Sequence, residues 1–138
     1  MTTETLFDVD SIADIGSAEV NLKVNGQPVP GVFVTLAGPE HAVRKSYALD
    51  KARRMRKQLA RTGKLELDDP VDEQEDETVH MASCVLAWRG IGKGGQALPC
   101  TKENVLALLA DPAKGWFRRA VKEALDDVEN FIKRSAAP

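Results

Sequence analysis

The sequence holds little of several things that would narrow its chemistry. Cysteine occurs twice, at Cys84 and Cys100, too few for the stapled framework of a small secreted domain. Each reads as a small buried hydrophobe. Aromatic residues are only 5% of the chain. No apolar run approaches the roughly 18 residues of a membrane span; the six from Val105 to Ala110 are among the longest. The stretch from Met1 to Asp8 has no positive segment and no small-residue cleavage site. The formal net charge is −2, which excludes a uniformly basic nucleic-acid module and a wholly acidic disordered chain. These absences lead us to expect a protein of a reducing cytoplasm, without a membrane segment.

What is present fits one small α+β domain of 138 residues, 43% of them apolar. Residues 1–17 carry acids and few apolar anchors, so they read as a weakly ordered arm. Residues 18–37 give the clearest β signal. Val20, Leu22 and Val24 alternate with Glu19, Asn21 and Lys23, and Val32–Leu36 resumes the strand character. Asn25–Gly26 suits a tight turn, but Pro28, Pro30 and Gly31 argue for a broad loop between the two strands.

A helix is expected over 39–61, with Pro39 and Glu40 in its first turn and Gly63 beyond its end. Val43, Tyr47, Ala48, Ala52, Met55 and Leu59 mark its inner face by their three-or-four spacing. Residues 64–75 read as an acidic loop broken by Pro70, and 76–134 as a helical C-terminal part. Within that part, a helix over 73–89 would present Met81, Cys84, Val85 and Trp88 on one face. Residues 90–100 would then form a Gly-rich connector between helices. Thr101 caps a short helix, and Asp111–Pro112 opens a last one running to Arg134. The expected architecture is thus an N-terminal β-hairpin packed on about four helices.

The bland net charge hides two opposed blocks. Residues 44–64 carry nine Lys or Arg and one acid, whereas 65–77 carry eight acids and no base. The basic block could follow a phosphate backbone, yet no aromatic residues interleave with it for base stacking and the acidic block follows at once. Charge-matched contacts, within one copy or between copies, are the simpler reading. We therefore take Arg53, Arg54, Arg56, Lys57, Asp72 and Glu73 as candidate partner-binding residues.

Other constellations carry less chemistry. Gly90-Ile-Gly92-Lys-Gly-Gly95 matches G-x-G-x-x-G, but that motif needs a strand before it and a helix opening at its last glycine. The expected helix before it and the residues Gln96–Pro99 after it supply neither. His80 and Cys84 lie four apart on one helix face, with Cys100 and His41 as distant companions, but no paired short-spaced ligand set is present. Nothing in the spacing assembles a nucleophile, a base and an oxyanion site. The sequence points to no catalytic residue, no metal ligand and no cofactor.

One longer pattern remains. Cys84-Val-Leu-Ala-Trp88-Arg-Gly90-Ile is followed by Gln96-Ala-Leu98-Pro99-Cys-Thr101-Lys-Glu103-Asn104. Leu108-Leu109, Asp111-Pro112, Trp116-Phe117 and Val128-Glu-Asn130-Phe131-Ile132 come next. With Val34-Thr-Leu-Ala-Gly-Pro-Glu40, this order resembles the tail assembly chaperones of tailed bacteriophages and prophages, over most of the chain. Cys100, where the family often has an aromatic or apolar residue, and the Gly-rich turn at 92–95 depart from the pattern. The resemblance implies a non-enzymatic protein of the host bacterial cytoplasm, absent from the mature virion. It would hold the helical tape-measure protein soluble until tail-tube protein polymerises around it. It also implies that such a gene can yield a frameshifted longer product. A homo-oligomer fits the charge pattern. The alternatives are another phage structural protein, such as a head–tail connector component, or a nucleic-acid-binding regulator using the basic helix.

Overall fold

The hairpin turns at Asn25–Gly26, whose φ angles of 52° and 80° are both positive, as a two-residue turn of matching twist requires. In the computed structural model, which describes residues 5–65 and 69–135, Val24 pairs directly with Gln27 across this turn. The broad loop expected here is therefore wrong in place. The extra residues form a bulge further along, between the Lys23–Pro28 and Asn21–Phe33 pairs. Asn21 holds it shut: its Nδ2 donates to the carbonyls of Val29 and Val32, both at 2.8 Å.

The elements run β1 (Ile12–Asp14), β2 (Ser17–Val24), β3 (Gln27–Ala37), α1 (Ala42–Thr62), α2 (Pro70–Cys84), β4 (Val85–Arg89), β5 (Gly92–Lys93), β6 (Gln96–Ala97), α3 (Lys102–Ala110), α4 (Gly115–Asp126) and β7 (Ile132–Arg134). β2, β3 and β4 form an antiparallel sheet in that order. α4 packs on β2, and α3 on both α2 and α4. Leu22, Val34 and Leu36 of the sheet meet Val105, Phe117, Val121 and Phe131 in one core cluster. On the exposed sheet face, Arg89 of β4 reaches across β3 to Glu19 of β2, at 2.7 Å, with its guanidinium 4.0 Å from the centre of the Phe33 ring. The fold is α+β with the expected N-terminal hairpin and four helices.

Several boundaries differ from expectation, each for a local reason. The helix expected over 73–89 starts at Pro70 and stops at Cys84. Asp69 accepts from Val71 N at 2.8 Å, so Pro70 occupies the first helical turn instead of breaking a loop. The acidic stretch expected as a loop over 64–75 is thus helical from residue 70; residues 66–68 lie outside the described residues. Val85 to Arg89 is a strand because it pairs with Phe33 to Leu36. The connector expected over 90–100 contains the small hairpin β5–β6, turned by Gly94 and Gly95. The basic helix begins at Ala42, not Pro39, with the His41 ring as its cap: Nδ1 accepts from Val43 N at 3.1 Å.

The last helix ends at Asp126, not Arg134. Asp127 then caps a short turn, and β7 pairs antiparallel with β1. Residues 12–17, expected to be weakly ordered, are held by that pairing and by Ile15 N donating to Phe131 O at 2.9 Å. Residues 1–4 lie outside the described residues.

Candidate functional site

Two surfaces stand out, and only one was visible in the sequence. α1 is a 21-residue helix with no buried residue. Its first half touches the body through Val43, Arg44 and Tyr47. Arg44 Nη1 donates to the carbonyls of Ala37 (3.3 Å) and Leu125 (3.1 Å), and its guanidinium lies 5.9 Å from the Phe131 ring. Arg44 is thus a tie between α1 and the end of α4, not part of a free basic face. Tyr47 Oη donates to Asp76 Oδ2 at 2.7 Å, and its ring stacks on His80 with centroids 3.7 Å apart. Burial and the Asp76 carboxylate push the Tyr47 phenol up to about 12.

The expected inner face does not hold. Ala48, Ala52, Met55 and Leu59 fall within about 60° of one another at 100° per residue, turned away from Val43 and Tyr47. Met55 and Leu59 are each 44% exposed. Arg53, Arg54, Arg56 and Lys57 are all exposed on the same half of the helix, as are Asp72 and Glu73 in the first turn of α2. The structure does not join these two sets. Among the described residues, the α1 side chains make ion pairs with Glu40 and Asp50 and with no α2 acid. Lys64 and Leu65 follow the helix as exposed residues.

The second surface is an apolar cleft of about 210 Å³. The bulge supplies Val29 and Val32, the β4–β5 link supplies Ile91, and α3 and α4 supply Leu108 and Phe117. Trp116, at 42% exposure, stands at the wall with its ring edge-on to Phe117. Lys93 and Lys114 also line the cleft, and Lys114 pairs with Asp111 at 3.0 Å. Gly90 makes the wall possible: its φ is +80°, and a Cβ there would sit 1.9 Å from the Gly31 carbonyl oxygen. Trp88 Nε1 donates to Leu98 O at 2.7 Å and so fastens the β5–β6 hairpin to the sheet. The Gly-rich connector expected over 90–100 carries part of the wall of this cleft, which the sequence did not reveal. The one usable signal was Gly90, where positive φ and the close approach of the Gly31 carbonyl leave room for no other residue.

The remaining candidates are placed as follows. Cys84 Sγ lies 3.8 Å from His80 Nε2. Burial pushes the thiol up to about 11 and lowers the imidazole's affinity for a proton, so the pair holds a protonated thiol beside a neutral ring. Among the described residues, no three His, Cys, Asp or Glu side chains converge as metal ligands. The G-x-G-x-x-G stretch follows a strand, β4, contrary to expectation, but α3 starts only at Lys102. No helix therefore opens at the last of those glycines, as the motif requires.

The sheet, the apolar cleft and the exposed charged helix define a small α+β domain with two chemically distinct surfaces, one apolar and one charged. The family model described as YdaY prophage protein matches residues 43–137, from the start of α1 through β7, and the chain belongs to that family. It is a prophage protein. No curated protein and no solved structure matches the chain.

Proposed function

We propose that this prophage protein is a non-enzymatic tail assembly chaperone that binds the tape-measure protein through its apolar cleft. The observation that carries this reading is the cleft itself. Its walls are largely aliphatic and aromatic, its volume suits one or two bulky side chains, and it opens between a strand bulge, a hairpin link and two helices. A helical partner would dock by placing its apolar anchors there, the usual mode of helix-in-groove recognition. Lys93 and Lys114 would meet acids flanking those anchors. The work would take place in the host cytoplasm, with the chaperone displaced as tail-tube protein assembles.

The test is coexpression with a tape-measure fragment. The fragment should co-purify and gain solubility, and Trp116→Ala and Ile91→Asp should each cut recovery severalfold while the circular dichroism spectrum is kept. A fragment that neither binds nor becomes more soluble overturns the reading.

A nucleic-acid-binding regulator is the second reading, favoured by the exposure of Arg53, Arg54, Arg56 and Lys57 on α1. Phosphate contacts there predict DNA binding that falls steeply with salt. No gel shift at low ionic strength removes it.

A further inference from the structure

We propose that a second copy of this chain covers α1, in a two-fold dimer that sets α1 of each copy against α2 of the other. The argument begins with what α1 lacks. A helix of this length gains most of its stability from packing an apolar face, yet α1 has no buried residue: Ala48, Met55 and Leu59 are exposed and Ala52 is only half-buried. The stripe is bounded by Lys51 on one side and by Arg56 and Arg53 on the other. Its complement must therefore offer apolar side chains bordered by acids.

The chain itself carries such a surface. The first turns of α2 expose Val71 beside Asp72, Glu73 and Glu75, with no Lys or Arg anywhere in the helix. Because the complement lies on the neighbouring helix, each copy presents both halves of the contact. A two-fold axis then makes it twice, as an isologous interface requires. α1 spans about 30 Å and α2 about 22 Å, each about 10 Å across. Two helices per copy thus offer at most roughly 500 Å² a side, about the smallest area of a specific interface.

Paired charge reversal tests this. In light scattering at low salt, the wild-type chain should have twice its 15.0 kDa monomer mass and dissociate as salt is raised. R53E/R56E and D72K/E73K should each weaken self-association at least tenfold. Mixed in equal amounts, the two should form a heterodimer approaching wild-type affinity, because each reversed helix then meets its opposite. M55S/L59S should be monomeric with an unchanged helical spectrum. Three results would each overturn the proposal: a wild-type chain that stays monomeric at about 100 μM, reversed variants that dimerise like wild type, or a mixture that does not recover. A monomer that instead retards duplex DNA in a salt-sensitive way assigns α1 to nucleic acid.

Discussion

The sheet with α4 and the helix α1 use the same residue types to opposite ends. In the body, Leu22, Val34, Val121 and Phe131 are within a percent of full burial, and their polar neighbours are tied down by Asn21, Arg44 and Arg118. Arg118, for example, joins α4 to Thr78 and Glu77 of α2. In α1, Met and Leu recur at helical spacing with equal regularity, but Met55 and Leu59 stay 44% exposed. Regular spacing therefore shows that a face exists and not what covers it.

Substitutions that separate the two regions can break this comparison. Phe131→Ala should have the largest effect, about 3–5 kcal/mol in urea unfolding, since it empties the junction of β1, β2 and Arg44. A loss below about 1 kcal/mol would mean that the body is not built around that ring. Asn21→Ala comes next, at about 1–2 kcal/mol, because both carbonyls of the bulge lose their donor. It should also loosen the cleft wall and weaken binding of any cleft ligand.

His80 gives a smaller, pH-dependent effect. Burial holds its proton affinity below the usual value of 6.5, so the unfolded chain binds the proton more readily. Its stabilising contribution is present above that usual value and is lost as pH falls through the depressed one. Thermal melts between about pH 7 and pH 5 should fall less steeply for His80→Gln than for wild type. M55S/L59S should have the smallest effect on the isolated chain. At high salt its unfolding free energy should stay within about 0.5 kcal/mol of wild type. A larger loss would show that α1 is packed within its own chain.

Much of the body was legible in the sequence because its signals are local. The alternation of Val20, Leu22 and Val24 and the caps at Thr101 and Asp111 each work over a few residues. The strand Val85–Arg89 was not legible. Met81, Cys84, Val85 and Trp88 fit a helix face equally well, and only pairing with β3, fifty residues away, turns the last five into a strand. The candidate site divides in the same way. The charged residues of α1 and α2 could be named from charge alone. The cleft could not, because its walls come from a bulge, a hairpin link and two helices that meet only in the folded chain.

The pairing of β1 with β7 sets a schedule for synthesis. Ile12–Asp14 finds its partner only in Ile132–Arg134, and Ile15 and Gly38 close on Phe131. The chain must be made through Arg134 before this seam can form. A growing chain therefore carries a finished hairpin and an open core edge until Ile132–Arg134 emerge, a long-range contact of the kind that forms late. Truncation behind Asp126 should leave that edge unsealed, however well the earlier elements have formed.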